Sequence, residues 1–269
     1  MLDASRFQNA DEYADYLKTP SGKLRSELAW ENLRRFLTSD TSKRRALDIG
    51  GGTGFASVQL ARMGYEVMLL DLSKEMLRIA REQVGHSGVP TRISFCHGDA
   101  NRLSELFDAD SFDVIVCHNM LEFSENPSAI VRGINNVVRK DGLLSVLVRN
   151  RAGEVLKNAI KSRNWKTALA NLTAETVLDS LYDEPVRVFT LAEIRELLVR
   201  AGLEVFAEHG VRVFCDYIDM EHVAADAELS QIFELESALG VRPEFAAIAR
   251  YVQVIARHSG APSSKVSGA

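Results

Sequence analysis

The sequence predicts an α/β fold with a doubly wound, mostly parallel, seven-stranded Rossmann-like sheet. Short apolar runs alternate with amphipathic stretches over residues 46–149, and repeated βα units of this kind build a parallel sheet. The run at 143–149 is almost continuously apolar, which is typical of a strand buried on both faces. The first run ends in an acid and a glycine-rich turn, with the sequence ALDIGGGTG at 46–54. Ligands of such sheets bind at the carboxyl ends of the strands.

The elements follow from periodicity and end signals. A helix over 24–37 has Leu24, Leu28 and Leu33 near one side, Ser73 can cap a helix, and Pro127 can open one. We expect further helices at 54–63, 73–84, 101–107, 127–139, 191–201 and 226–239. We expect strands at 46–49, 66–70, 92–96, 112–118 and 143–149, with the last strands drawn from 203–207, 211–215 and 251–256.

The domain organisation follows from where this alternation begins, breaks and resumes. Residues 1–43 form an N-terminal helical cap, and residues 44–150 with 189–257 form the Rossmann-like domain. Residues 151–188, called the insertion below, have helical propensity. The insertion is expected above the carboxyl ends of the strands as a lid, or else as a peripheral helical hairpin. The small, polar tail 258–269 is expected to be disordered.

The composition suits one large domain, or one domain with an insertion. Of 269 residues, 46% are hydrophobic and 26% are charged, and no apolar run reaches membrane-spanning length. Without an apolar signal-peptide core, a cytoplasmic location is expected. The net charge of −5 argues against a basic nucleic-acid binder by bulk balance, although a local basic face is compatible with it. Three scattered cysteines and six histidines without ligand spacing predict free thiols and no metal site.

The glycine turn suits a nucleotide-like ligand, because glycine allows positive φ and a following helix N-terminus attracts negative charge. Glycines at 50, 52 and 54 match neither the Walker A spacing nor the dinucleotide fingerprint. Asp71 ends the next apolar run and could accept hydrogen bonds from both hydroxyls of a ribose. A Rossmann-like domain that binds NAD, or no nucleotide at all, remains an alternative.

Four ordered motifs resemble class I S-adenosylmethionine (SAM) methyltransferases over residues 44–149: the glycine turn, Asp71, GDA at 98–100 and FDVIV at 112–116. The resemblance implies SAM as the cofactor. It implies that Gly50, Gly51 and Gly52 pack against the methionine part of SAM. It also implies that Asp71 and Leu72 lie at the ribose, and that Asp99 and Ala100 lie near the adenine.

A closer resemblance, over about residues 20–257, is to the CmoM group, which methylates the carboxylate of 5-carboxymethoxyuridine in tRNA. The motifs are SGKLR at 21–25 with Trp30, HNMLEF at 118–123, and GVRVFCDY at 210–217. The likeness implies cofactor contacts for Arg25 and His118. The alternatives are that Arg25 is a surface arginine of its helix and that His118 has only a structural role. It implies substrate contacts for Arg212 and Tyr217, whereas Arg212 could instead pair with Asp216 or Asp219.

The insertion departs from that group, which has a lysine-rich segment there. Residues 175–185 carry four acids and no lysine or arginine, and acids repel a phosphate backbone. We therefore expect a carboxylate on a small-molecule acid, nucleoside-like or uronic, as the methyl acceptor. A carboxylate is already ionised and needs no general base, but it needs a cation, and Arg149, Arg151 and Arg212 are candidates.

Two alternatives stay open at this point. The first is the tRNA-modifying activity itself, and the second is a SAM-binding protein without catalysis. The sequence leaves the oligomeric state undetermined.

Overall fold

The computed structural model describes residues 10–38, 41, 44–179, 181, 183–220, 223 and 226–258. The helices are α1 (Ala10–Lys18), α2 (Pro20–Arg34), α3 (Phe55–Arg62), α4 (Lys74–Gly85), α5 (Leu103–Leu106), α6 (Pro127–Val137), α7 (Arg151–Leu156), α8 (Trp165–Asn171), α9 (Leu191–Arg200), α10 (Asp226–Gly240) and α11 (Pro243–Ala246). The strands are β1 (Arg45–Ile49), β2 (Glu66–Asp71), β3 (Ile93–His97), β4 (Phe112–His118), β5 (Val138–Arg149), β6 (Thr176–Asp179), β7 (Glu184–Arg187), β8 (Leu203–Val211) and β9 (Tyr251–His258).

Seven of these strands form one sheet in the order β3-β2-β1-β4-β5-β9-β8. The pairs from β3 through β5 are parallel, and β9 runs antiparallel between β5 and β8. The order reverses between β1 and β4, and an open α/β sheet binds its ligand at such a switch point. The predicted seven-stranded, mostly parallel Rossmann-like sheet is therefore confirmed.

Helices cover both faces of the sheet, so the central strands are buried on each side. One core joins the sheet to α5, α6 and α9, and includes the fully buried Ile130, Ile134 and Leu198. The other joins it to α2, α3 and α4, and includes Leu33 and Leu60. Burial on both faces explains why β4 and β5 read as continuous apolar runs rather than alternating ones.

The N-terminal cap packs on α4 through α1 and on β5, β8 and β9 through α2. Thr19 caps α2 by accepting a hydrogen bond from the backbone N–H of Gly22, and Pro20 occupies the first turn. On α1, Ala10 and Ala14 pack against α4. The predicted helical cap therefore exists as two helices, and residues 1–9 of it lie outside the described residues.

The insertion is only partly helical, which corrects the prediction of a helical insertion. It begins with α7, continues in a π-helical turn at Lys157–Lys161 and α8, and ends in the antiparallel hairpin β6–β7. On this hairpin Val177 and Val186 pair across the strands and bury their side chains. Alternating, β-branched residues at these positions favour a strand over a helix.

Two further boundaries differ from prediction. Residues 211–215 were expected to form a strand, but β8 ends at Val211 and a 3-10 turn occupies Cys215–Tyr217. Arg212 adopts a φ of +63°, which is incompatible with an extended strand. Strand β5 begins at Val138 rather than at residue 143. The tail expectation concerns residues 259–269, which lie outside the described residues, whereas His258 belongs to β9.

No helix within the described ranges is long and apolar enough to cross a membrane.

Candidate active site

A cavity of about 290 Å³ opens at the carboxyl ends of the sheet strands, near the lower end of the range for small-molecule sites. Its walls come from the two N-terminal helices, the turns after β1 to β4, the end of β5, the insertion, the segment after β8 and the start of β9. The charged and tyrosine side chains in these walls are Tyr13, Tyr16, Arg25, Asp71, His118, Glu122, Arg149, Lys157, Asp179, Arg212, Asp216, Arg250 and Tyr251.

The glycine turn after β1 forms one wall. Gly50 has a φ of +65°, and a Cβ there would lie 2.5 Å from Cγ of Met120, so only glycine fits. Gly52 also lines the cavity, and Gly51 lines a smaller adjoining pocket with Gly50 and Gly52. The turn therefore presents bare backbone, which a ligand can approach closely.

Asp48, just before this turn, fixes the start of α3. Its carboxylate accepts hydrogen bonds from the backbone N–H and the hydroxyl of Ser57, at 3.1 and 2.7 Å. Burial raises the pKa of Asp48 to about 6. Asp48 therefore has a structural role, because it holds the start of α3 against the end of β1. This role explains why the apolar run of β1 contains an acid.

Asp71, at the end of β2, joins the second strand to the glycine turn. Its two oxygens accept backbone hydrogen bonds from Gly52, at 2.9 Å, and from Ser73, at 2.8 Å. Burial raises the pKa of this carboxyl, and the backbone hydrogen bonds from Ser73 and Gly52 oppose that effect. Asp71 lines the cavity with acceptor capacity to spare, so it could bind ligand hydroxyls.

Leu72 and Ala100 line the same part of the cavity. Asp99 does not line it, although it was predicted beside them. Its Oδ1 instead accepts a hydrogen bond of 2.9 Å from the backbone N–H of Asn101 and caps the short turn Ala100–Arg102. Aspartate is a favoured cap residue, and capping turns this side chain away from the cavity.

His118 ends β4 and lines both adjoining pockets. Its Nε2 lies 2.8 Å from the hydroxyl of Ser145. Burial and the positive charge of Arg25 lower the pKa of His118 to about 3. The imidazole is therefore neutral at neutral pH and offers polar, uncharged contacts at the switch point of the sheet.

Arg25, on α2, is only 6% exposed. Its Nη2 donates to the hydroxyl of Tyr13 at 2.9 Å, and its guanidinium lies 5.1 Å from the ring centroid of Tyr16 and 5.6 Å from that of Tyr251. Among the described residues it makes no ion pair. A buried guanidinium held by aromatic rings alone is suited to an anionic ligand group.

Arg149, at the end of β5, is a buried side chain surrounded by three acids. Its Nη1 donates to Glu154 at 3.0 Å, its Nη2 donates to Asp179 on β6, and its Nε lies 3.5 Å from Glu122. Arg149 lines the cavity as predicted. Three carboxylates of the protein already compensate its charge. Because one of them, Asp179, belongs to the insertion, Arg149 connects the insertion to the sheet.

Arg212 follows β8 in the left-handed region, a costly conformation for a residue with a side chain. Its Nε donates to Asp216 at 3.0 Å and its Nη1 donates to the hydroxyl of Tyr16 at 2.7 Å. The side chain thus both pairs with Asp216 and lines the cavity. Of the two carboxylates considered at first, Asp216 is the one bonded to it.

Arg151 and Tyr217 do not line the cavity. Arg151 donates to the backbone oxygen of Ala174 at 2.7 Å and to Glu193 at 3.0 Å, so it attaches the insertion to α9. Tyr217 lies in the turn after Arg212, where burial is the largest cause that raises its pKa to about 12. Arg151 is the first residue of α7, so its side chain no longer follows the alternation of β5 that directs Arg149 to the cavity.

Several cavity residues were not predicted from the sequence, among them Lys157, Arg250 and Glu122. Lys157 comes from the π-helical turn of the insertion, Arg250 immediately precedes β9, and Glu122 lies in the turn after β4. Burial raises the pKa of Glu122 although Arg149 and a hydrogen bond from Asn119 oppose it. Only the HNMLEF motif signalled Glu122, and no local pattern marked the other two, because distant segments converge here.

A buried glutamate holds the segment after β8 in place. Glu236 of α10 is 1% exposed and accepts backbone hydrogen bonds from Val213, Phe214 and Cys215 at 2.6, 2.9 and 2.8 Å. These bonds stabilise the unusual backbone that turns Arg212 towards the cavity. Three successive N–H groups around one carboxylate form a strong, charge-assisted cap.

The described part of the chain contains no cluster of three or more histidine, cysteine, aspartate or glutamate side chains that could hold a metal ion.

Residues 47–146 match a family model described as a methyltransferase domain. A solved SAM-dependent methyltransferase from Thermotoga maritima shares the fold, with a TM-score of 0.63 and 16% identity over 94% of this chain and 98% of that one. Another, from Mesorhizobium loti, has a TM-score of 0.60 with 21% identity over 86% of this chain and 97% of that one. The family match therefore identifies residues 47–146 as a methyltransferase domain, and the two solved structures share its fold.

Among curated proteins, the chain resembles tRNA 5-carboxymethoxyuridine methyltransferase of Escherichia coli strain K12. The identity is 29% over 251 residues, which covers 92% of each chain. Ubiquinone biosynthesis O-methyltransferase of Xanthomonas axonopodis is 34% identical over 107 residues, which covers 40% of this chain and 44% of that protein. The first likeness therefore covers most of the chain, whereas the second is confined to less than half of it.

Proposed function

We propose that this methyltransferase transfers the methyl group of SAM to a carboxylate oxygen of a small acid. The observation that carries the proposal is that one cavity is lined both by the glycine turn and by the cationic side chains of Arg149, Lys157, Arg212 and Arg250. Cations in a cavity of this kind favour an anionic acceptor.

The cofactor half fits SAM on three features of the chain. The glycine turn leaves room for a ligand against its backbone, and a Cβ on Gly50 would clash with Met120. Asp71 provides acceptor oxygens for ribose hydroxyls, with Leu72 and Ala100 beside it. Arg25 provides a buried guanidinium, without an ion pair in the described ranges, for the methionine carboxylate.

The chemistry asks little of the protein beyond positioning. When bound, SAM supplies an electrophilic methyl group on a positively charged sulfur. A carboxylate is ionised at neutral pH, so no side chain must remove a proton from it. His118, with a pKa of about 3, stays neutral throughout and adds no positive charge against the sulfonium. Holding the acceptor oxygen in line is then the main contribution of the site.

The insertion supports a small acceptor. Lys157, Asp179 and Leu181 bring it into the wall of the cavity, and the Asp179–Arg149 ion pair holds its hairpin against β5. The cavity of about 290 Å³ is near the lower end of the range for small-molecule sites, which favours a small acceptor over a large one.

A second candidate acceptor is the same carboxylate carried on tRNA. The E. coli relative, which covers 92% of this chain, is named for that activity. The acids of residues 175–185 also repel an RNA backbone less than their number alone indicates, because two of them are paired with arginines. Asp179 pairs with the buried Arg149, and Glu175 lies 3.7 Å from Arg187. On the outer side of the insertion, Trp165 is 71% exposed beside the exposed Arg163 and Lys166, and bases stack on such residues.

The test is methyl transfer from labelled SAM to three acceptors: D-glucuronate, the free nucleoside 5-carboxymethoxyuridine, and tRNA that carries this nucleoside unmethylated. A carboxyl methyl ester releases volatile methanol in mild base, whereas methyl groups on amines and phenols stay attached. Base-labile label in a small acid supports the proposal. Label only in tRNA, reduced by salt, supports the second candidate, and base-stable label excludes both.

A further inference from the structure

Lys157 differs from the other cations of the cavity in having no partner of its own. Its side chain lines the cavity, yet it makes no ion pair or side-chain hydrogen bond among the described residues. It begins the π-helical turn Lys157–Lys161, which interrupts the helical part of the insertion. Such turns are rare in proteins, and those that occur often lie at functional sites.

The neighbouring cations are compensated to different extents. Arg149 has Glu122, Glu154 and Asp179 around it, and Arg212 has Asp216. Within the described part of the chain, the ion-pair partner of Arg250 is Glu154, which also pairs with Arg149. Of the four cations proposed for the acceptor, Lys157 and Arg250 are therefore the two without a carboxylate of their own among the described residues; Arg25, which also lacks one, is assigned to the cofactor.

The charges around Lys157 favour an anionic ligand. Burial and the charges of Arg250 and Arg149 lower its pKa, and Glu154 opposes them only in part. An anion placed between Lys157 and Arg250 would relieve this repulsion. Tyr251 lies beside them, where burial opposes ionisation of its phenol while the charges of Arg149, Arg25, Arg250 and Arg212 lower its pKa.

We infer that the Lys157 ammonium, assisted by Arg250, is the receptor for the acceptor's carboxylate and makes the enzyme selective for anionic acceptors. This inference rests on the proposed function and names the residue that selects its substrate. The inference also explains why the insertion enters the cavity. Lys157 belongs to the insertion, which thereby brings to the site a charge that the sheet does not supply.

The experiment compares Lys157→Met and Lys157→Arg with the wild-type enzyme and with Lys161→Met. Lys161 is exposed at the other end of the same π-helical turn, so it is a matched control. Calorimetry in the presence of S-adenosylhomocysteine measures the affinity for D-glucuronate, for 5-carboxymethoxyuridine nucleoside and for neutral uridine. A separate titration measures the affinity for SAM and shows whether each variant is folded and still binds the cofactor.

We expect Lys157→Met to weaken binding of the carboxylate probes about tenfold, the scale of one charge-assisted contact. Lys157→Arg should recover most of the loss, and Lys161→Met should resemble wild type. Binding of SAM should not change in any variant. In steady-state transfer the loss should appear in the KM for the acid.

Equal affinity of wild type and Lys157→Met for the carboxylates would overturn the inference, as would a wild-type enzyme that prefers uridine to both acids. The two proposals fail in different ways. Methyl esters formed equally by both enzymes contradict the role of Lys157 and leave the proposed function intact. Carboxylates bound through Lys157 without base-labile label support the receptor and contradict the proposed function.

Discussion

The Asp179 carboxylate on the hairpin β6–β7 pairs with the Arg149 guanidinium at the end of β5, and both side chains are buried. The two residues are 30 positions apart in the sequence. This ion pair links the insertion to the sheet at the edge where the cavity opens. Because the pair is excluded from water, removal of one partner leaves a buried charge with fewer contacts, which is more costly than loss of a surface pair.

Asp179→Asn is therefore expected to loosen the hairpin. Arg149 keeps Glu122 and Glu154, so we expect a loss of about 1–3 kcal/mol in the free energy of unfolding. Hydrogen exchange over 176–187 should accelerate more than exchange in the sheet. Asp183→Asn is the control, because Asp183 is an exposed residue of the same hairpin. Unchanged exchange in the Asp179 variant would mean that packing of Val177 and Val186 alone holds the hairpin.

Arg25→Met is expected to weaken binding of SAM by about 1.5–3 kcal/mol, the range for hydrogen bonds to charged groups. Adenosine lacks the methionine carboxylate, so its affinity should change much less. Isothermal titration with both ligands measures the difference. Arg34→Met, on an exposed part of the same helix, should bind both ligands as wild type does. If SAM and adenosine weaken equally, Arg25 does not contact the methionine end.

Asp71→Asn should reduce the affinity for SAM by about 1–3 kcal/mol, because the amide replaces one acceptor oxygen with a donor. Burial raises the pKa of Asp71, so wild-type affinity should fall as the pH drops through that raised pKa. The variant should lack this pH dependence. Asp99→Asn, which keeps its capping oxygen outside the cavity, should stay within about twofold of wild type. A strong effect of the Asp99 change would restore its predicted place beside the adenine.

His118 should make the stability of the protein pH-dependent. The folded protein keeps the imidazole neutral down to a pKa of about 3, whereas the unfolded chain binds a proton near pH 6.5. Its contribution to the free energy of unfolding is therefore fully present above pH 6.5. It is lost as the pH falls toward 3, by up to about 1.4 kcal/mol per pH unit.

His118→Gln can keep a hydrogen bond to Ser145 and should flatten the pH dependence of stability below pH 6.5. Chemical denaturation of both proteins across this range measures the difference. Asp48, whose pKa is raised to about 6, changes stability in the opposite direction, so the comparison with wild type is needed. His86→Gln, on the surface, serves as control. Parallel curves for wild type and His118→Gln would contradict a neutral, buried imidazole.

The sequence determined the fold and the residues of the proposed cofactor half of the site, because both depend on local patterns. Strands β1, β2 and β4 were predicted within a residue or two, since apolar runs, glycines and caps act through neighbours in the chain. Gly50, Asp71, Leu72, Ala100 and His118 directly follow or end such strands, and parallel strands bring their carboxyl ends together at one edge of the sheet.

Only the tertiary structure decided the acceptor half. Arg149, Lys157, Arg212 and Arg250 meet because β9 inserts between β5 and β8 and the insertion folds back over them. Which of these charges is compensated depends on partners such as Asp179 and Glu154, whose positions no local pattern specifies. The same holds for Arg151, which lies two residues after Arg149 and binds Glu193 instead. Charge pairing between distant segments is a property of packing, and packing is set by the whole chain.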